Sequence, residues 1–225
     1  MRKGLTEVIF ILDRSGSMSG LEADTIGGFN SMIEKQRREE GEALISTVLF
    51  DDRTEVLYDR VPIAKAVPMN DEQYYVRGCT ALLDAVGGAI HHIANVHKYA
   101  REEDRPEKTL FIITTDGMEN ASHIYTYDKV KKMVEEQKEK YGWEFLFLGA
   151  NIDAIQVAGR FGIGADRAVN YECDSTGTAL NYQVISETVS AVRRSKSKAE
   201  TEMMMKVCCA PIRQDYEKRH KGKRA

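Results

Sequence analysis

The stretch that decides the fold is VIFILDRSGSM, residues 8–18. It opens with the continuous apolar run Val8–Leu12, which is rich in β-branched residues and predicts a strand buried on both faces. Asp13 ends the run, and Ser15 and Ser17 follow at alternate positions. Gly16 between the two serines lets the backbone curl. We therefore expect a buried strand whose carboxyl end presents one carboxylate and two hydroxyls.

Working outward, short β-rich runs alternate with longer helical patterns along the chain. Further strands are predicted at Leu44–Phe50, Thr54–Tyr58, Lys108–Thr115, Trp143–Leu148 and Ala168–Tyr171. Helices are predicted after Ser19 and over Thr80–Tyr99, Thr126–Tyr141, Asp153–Phe161 and Ser175–Arg194. This alternation predicts an α/β fold: a Rossmann-like, doubly wound, mostly parallel six-stranded sheet with helices on both faces.

The expected strand order is 3-2-1-4-5-6. Strand 3 is expected to be antiparallel at the sheet edge, because the turn Asp51-Asp52-Arg53 is too short for a crossover. The segment Ser19-Gly20-Leu21-Glu22 matches a capping box and predicts that Ser19 caps the first helix. Residues 1–195 are expected to form the α/β domain. Residues 196–225 are expected to form a basic C-terminal extension that is helical or partly disordered.

Composition excludes several functional classes. The chain has 225 residues, with 32 Lys and Arg against 35 Asp and Glu, so its net charge is -3. A near-neutral chain that is 42% apolar and 30% charged is typical of a folded globule, and it argues against a protein built mainly to bind nucleic acid. We find no apolar run long enough to span a bilayer and no signal-peptide pattern, so we expect a cytoplasmic protein with four reduced cysteines.

Three separated segments are expected to converge at one end of this sheet. The strands at Val8–Leu12 and Lys108–Thr115 should be neighbours, which brings together Asp13, Ser15 and Ser17 from one and Asp116 from the other. Thr80, at the predicted start of a helix, can reach the same end. A set of two carboxylates and three hydroxyls favours a hard divalent cation such as Mg²⁺, with Mn²⁺ or Ca²⁺ as other possibilities.

The pattern Asp13-x-Ser15-x-Ser17, then Thr80, then Asp116-Gly117 resembles the metal-ion-dependent adhesion site of the von Willebrand factor type A domain family. The resemblance covers residues 5–195. It implies that Ser15 and Ser17 bind the metal directly, that Thr80 binds it directly or through water, and that Asp13 and Asp116 act mainly through water.

The resemblance also implies a function. It favours a non-enzymatic module in which an acidic side chain of a partner protein completes the coordination of the metal. The chain looks most similar to intracellular bacterial members of the family. Those members commonly work beside other proteins, including AAA-type ATPases, so such a complex is a predicted partner.

Two other functions stay open at this stage. The first is a metal-dependent hydrolase, such as a phosphoesterase, that uses Asp13 and Asp116. A strand followed by Asp is similar to the haloacid-dehalogenase phosphatases, but these need a second Asp where this chain has Ser15. His123 or Glu119, in the loop after Asp116, could then serve as a base or contact a partner. The second is a purely structural metal.

Overall fold

A computed structural model describes residues 1–221, and the last part of the predicted basic extension, residues 222–225, lies outside the described residues. One six-stranded sheet has the order β3-β2-β1-β4-β5-β6. Its strands are β1 (Arg2–Asp13), β2 (Glu42–Phe50), β3 (Thr54–Pro62), β4 (Pro106–Thr115), β5 (Glu144–Gly149) and β6 (Ala168–Asn170). All neighbours pair in parallel except β2 and β3, which are antiparallel. The predicted fold class, strand order and antiparallel edge are confirmed.

Seven α-helices surround the sheet within the described residues. They are α1 (Glu22–Arg37), α2 (Leu82–Tyr99), α3 (Tyr127–Tyr141), α4 (Ala154–Arg160), α5 (Ser175–Arg194), α6 (Lys198–Val207) and α7 (Ala210–His220). None of the helices in residues 1–221 has the length and apolar character that crossing a membrane requires. Met205 of α6 and Ile212 of α7 are buried in the same apolar cluster as the central strands. The predicted division at residue 195 stays a prediction.

The apolar core has two layers, one on each face of the sheet. Val8, Phe10 and Leu12 of β1 belong to one buried cluster, whereas Ile9 and Ile11 belong to the other. Successive side chains of a strand point to opposite faces, so a strand buried on both sides needs an unbroken apolar run. The function of such a sheet is therefore confined to the ends of its strands.

The start of α1 differs from the prediction. Residues Gly16–Met18 form a 3-10 turn, and α1 begins at Glu22 without a side-chain cap. The carboxylate of Glu22 accepts a hydrogen bond from the Gly20 N–H at 2.7 Å, but Ser19 does not cap the helix. The capping-box prediction was wrong because Ser19 ends the tight 3-10 turn that places Ser17, and so does not cap α1.

Arg193 of α5 joins that helix to the end of α1. Its buried guanidinium donates to the backbone carbonyls of Gln36, Glu39, Glu40 and Gly41 at 2.6–3.2 Å. Carbonyls at a helix C-terminus have no partner within the helix, so an external donor satisfies them. One side chain thus caps α1 and fixes its packing against α5.

We expect Arg193→Ala to lower the free energy of unfolding by about 2–4 kcal/mol, because it removes a buried donor that serves the buried Gln36 carbonyl and three part-buried carbonyls. Urea unfolding followed by circular dichroism measures the change. The matched control is Arg194→Ala, since Arg194 is exposed and makes one backbone hydrogen bond, to Ser190. Equal losses in the two variants would contradict the role assigned to Arg193.

Candidate metal centre

Asp13 and Asp116 lie at the carboxyl ends of two adjacent parallel strands. Leu12 of β1 pairs with Thr114 of β4, so Asp13 is level with Thr115 and Asp116 follows one residue beyond it. Each is about 1% exposed. Asp13 Oδ1 accepts a hydrogen bond from the Ser15 N–H at 2.7 Å, and Asp13 Oδ2 accepts one from Thr115 Oγ1 at 2.6 Å. The Asp13 carboxylate therefore also holds the loop that follows it.

The three hydroxyls form a continuous chain of contacts that ends on Asp116. Thr80 Oγ1 donates to Ser15 Oγ at 3.0 Å, and Ser15 Oγ lies 3.2 Å from Ser17 Oγ. Ser17 Oγ in turn donates to Asp116 Oδ1. The five residues singled out in the sequence thus come together, from three separate loops.

The spacing of these oxygens fits a small divalent cation. Adjacent ligands of an octahedral Mg²⁺ lie about 3.0 Å apart, because each ligand is about 2.1 Å from the ion. A Cβ built on Gly117 would lie 3.1 Å from both Ser17 Oγ and Thr80 Oγ1, and 4.0 Å from Ser15 Oγ. The three hydroxyls therefore surround one point that only a glycine at position 117 leaves open.

The donor set has an unusual composition for a metal centre. Within residues 1–221, no three side chains of the His, Cys, Asp and Glu types are grouped so as to hold a metal ion. The candidate centre combines two carboxylates with three neutral hydroxyls. A hard cation that prefers oxygen ligands fits this set, whereas a thiophilic metal does not.

Burial makes the two carboxylates electrostatically unfavourable in the absence of a cation. Loss of hydration raises the pKa of Asp13 to about 6, although hydrogen bonds from Ser15 and Thr115 oppose the shift. Burial also raises the pKa of Asp116 above its ordinary value, against hydrogen bonds from Ser17 and Cys173. Among the ion pairs of the described residues, neither carboxylate has a cationic partner.

Three supporting contacts were not predicted from the sequence. Asn120 clamps Thr80 through two hydrogen bonds, from its N–H to the Thr80 carbonyl at 3.0 Å and from the Thr80 N–H to its Oδ1 at 2.8 Å. The Tyr74 hydroxyl donates to the Asp13 carbonyl at 2.6 Å. The Cys173 thiol donates to Asp116 Oδ2 at 3.4 Å. Each partner is distant in the chain, so no local sequence pattern indicates these contacts.

Thr80 does not occupy the position of a helix cap. In the loop after Asp116, Glu119 and His123 do not make the contacts expected of a catalytic base. Helix α2 begins at Leu82, two residues beyond Thr80, so the Thr80 hydroxyl serves the oxygen cluster and not the helix. The Glu119 carboxylate accepts from the N–H groups of Leu83, Ala121 and Ser122, and so holds the start of α2. His123 is exposed, and its backbone N–H donates to Asp84.

This chain is similar to known proteins in its three-dimensional structure. No protein-family model matches the chain, and no curated protein matches it. A domain of the pilus tip protein Mfa5 from Porphyromonas gingivalis superposes with a TM-score of 0.62 at 11% identity, covering 85% of this chain and 97% of that domain. Manganese-loaded TRAP from Plasmodium vivax gives 0.54 at 15% identity, covering 80% of this chain and 72% of that one.

Proximal thread matrix protein 1 from the mussel byssus, with a zinc-occupied metal-ion-dependent adhesion site, gives a TM-score of 0.57 at 14% identity over 83% of this chain. This chain spans less than half of the mussel protein, 46% of its length. The match to Mfa5 is described as a von Willebrand factor domain. The chain therefore has the fold of a von Willebrand factor type A domain. The mussel structure holds zinc at its adhesion site, and the TRAP structure is loaded with manganese.

We expect Mg²⁺ to stabilise the protein. Asp116→Asn should separate two effects of the Asp116 carboxylate: the free-energy cost of burying its charge, and its contribution to Mg²⁺ binding. The variant removes a buried charge, so without metal its free energy of unfolding should equal or exceed that of the wild type. At a Mg²⁺ concentration of 100 times the Kd, the wild type should gain about 2.7 kcal/mol in free energy of unfolding. In Asp116→Asn, this gain should fall to near zero. Thermal unfolding with Mg²⁺ and with chelator measures both. In exposed Asp71→Asn, the Mg²⁺ response should be unchanged.

Proposed function

We propose that this chain is a divalent-cation-dependent protein-binding module. It captures an acidic side chain of a partner protein at the carboxyl end of its central sheet. The observation that carries the proposal is the cluster of three hydroxyls beside two buried carboxylates, for which residues 1–221 provide no cationic partner. Mg²⁺ is the proposed cation, and Mn²⁺ and Ca²⁺ are candidates with the same preference for oxygen.

The cluster is open on one side, as a binding role requires. Asp13, Ser15 and Thr80 are buried, whereas Ser17 and Met118 are exposed. We assign Ser15, Ser17 and Thr80 to hold the cation, and Asp13 and Asp116 to balance its charge and orient the hydroxyls. A bound cation would supply an exchangeable, positively charged position at which a carboxylate can bind. Because the hydroxyls are neutral, they leave that charge largely available to the partner.

The similar structures support a protein as the partner. One comes from a pilus tip and another from a thread matrix, and both are parts of protein assemblies. No feature of residues 1–221 and none of these structures points to an AAA-type ATPase. That partner, the cytoplasmic location and the relation to intracellular bacterial members stay predictions.

A hydrolase gains no supporting observation. The Glu119 carboxylate is engaged by backbone N–H groups. Among the described residues, the hydrogen bonds of the candidate centre include no imidazole. Histidine is the residue that most often serves as a general acid or base, and these contacts do not add one to the candidate centre.

We expect Ser17→Ala to abolish Mg²⁺-dependent capture of partner proteins. The immobilised wild-type chain should retain proteins from lysate in Mg²⁺ and release them in chelator, because the carboxylate contact requires the cation. Quantitative mass spectrometry should show at least a tenfold loss in Ser17→Ala, in line with the 10–100-fold effect of disturbing a metal site. The matched control is Ser19→Ala, two residues away and also exposed.

A second step identifies the chemistry of the captured group. Changing the partner's acidic residues singly to Asn or Gln should abolish retention at one position. Retention that is equal in Mg²⁺ and in chelator would contradict the proposal. Turnover of phosphate esters that disappears in Asp13→Asn would favour the hydrolase instead.

A further inference from the structure

Arg14 lies inside the proposed metal-binding loop, between Asp13 and Ser15, and is fully buried. Its guanidinium contacts groups outside the oxygen cluster. Nε donates to Asp51 Oδ2 at 2.8 Å, and Nη2 lies 2.8 Å from a carboxylate oxygen of Glu55. Arginine is almost never fully buried unless it is paired. The loop is therefore fixed to the turn between β2 and β3 by a buried ion pair.

Asp51 links that pair to a second loop. The same Oδ2 atom accepts a hydrogen bond from Arg77 Nε at 2.8 Å, and the Asp51 carbonyl accepts one from the Ala81 N–H at 2.8 Å. Arg77 and Ala81 flank Thr80 in the chain. Burial of the Asp51 carboxyl pushes its pKa up, but hydrogen bonds from Arg77, Arg14 and the backbone of Arg53 hold that pKa below its ordinary value. Asp51 thus remains the anionic centre of the network.

Backbone contacts complete the connection between the two loops. The Arg77 N–H donates to the Arg14 carbonyl at 3.0 Å, and the Gly16 N–H donates to the Gly78 carbonyl at 3.2 Å. Ser15 lies on one of these loops and Thr80 on the other, with their hydroxyls 3.0 Å apart. The relative position of the two hydroxyls therefore depends on contacts made behind them.

We propose that Arg14, Asp51 and Arg77 form a positioning network for the cation site. The network holds the Ser15 and Thr80 hydroxyls at the separation that adjacent ligands of one ion require, so the site needs no rearrangement to bind. This inference rests on the proposed function. In metal sites generally, loss of a group that orients the ligands lowers metal affinity 10–100-fold.

The sign of the effect separates positioning from plain electrostatics. Arg77 is positively charged, so its removal should by Coulomb's law strengthen the binding of a cation. A positioning role demands the opposite result, because Thr80 loses its fixed place. Arg77 is also suited to the test, since its side chain is 41% exposed and the chain should fold without it.

The experiment is a Mn²⁺ titration followed by electron paramagnetic resonance, well below the melting temperature of every variant. Arg77→Ala should raise the Kd about tenfold. The matched control is Arg53→Ala, which removes a charge of the same sign from a side chain that is 80% exposed and pairs with Asp52. The control should leave the Kd unchanged or lower it slightly.

A double-variant comparison tests whether Arg77 acts through Thr80. In a Thr80→Ala background, the further change Arg77→Ala should raise the Kd less than twofold, because the hydroxyl that it positions is already absent. Arg77→Lys keeps the charge but not the planar guanidinium, and should still raise the Kd several-fold. It also serves as the second variant if Arg77→Ala does not fold.

The outcomes distinguish this inference from the function on which it rests. Unchanged or tighter Mn²⁺ binding in Arg77→Ala, with or without a lower melting temperature, would overturn the positioning role and leave the proposed function standing. Additive losses in the double variant would also overturn it. Wild-type protein that takes up no Mn²⁺ would refute the proposed function, and the network's role with it.

Discussion

The structure depends on two buried carboxylates that no cationic side chain of residues 1–221 contacts. Asp13 ends β1 and Asp116 directly follows β4, and hydroxyl, backbone N–H and thiol groups are their donors. Hydrogen bonds of this kind offset only part of the free energy lost when an ionised carboxylate leaves water. A cation from solution can supply the rest. We therefore expect the burial of these two residues to favour the binding of a divalent ion.

The sheet topology explains why that preference appears at this place. In the order 3-2-1-4-5-6, β1 and β4 are the strands between which the connections diverge to opposite sides. Loops at such a point separate and leave a crevice at the carboxyl ends. Apolar clusters cover most of both faces of the sheet, and the carboxyl ends of β1 and β4 provide a place where polar groups gather. Position and chemistry therefore follow from the same arrangement.

The convergence of Asp13, Ser15, Ser17 and Asp116 could be predicted from the sequence because these residues directly follow two recognisable strands. An unbroken apolar run marks β1 and another marks β4, and the polar residues after each must then meet. Arg14 carries no such signal, since an arginine in a polar loop usually faces solvent. Its burial depends on Asp51, 37 positions away, which the sequence shows only as part of a turn. The contacts of Cys173 with Asp116 and of Asn120 with Thr80 could not be predicted for the same reason.

The orientation of Arg14 bears directly on what the site can bind. An arginine inside this loop could have neutralised Asp13 itself, and the cluster would then have lost its attraction for a cation. Asp51 instead pairs with the guanidinium at 2.8 Å and cancels its charge locally. The loop gains a buried anchor whose charge is paired away from Asp13. In the proposed network, Arg14, Asp51 and Arg77 supply rigidity whereas Asp13 and Asp116 supply negative charge, and cation binding requires both.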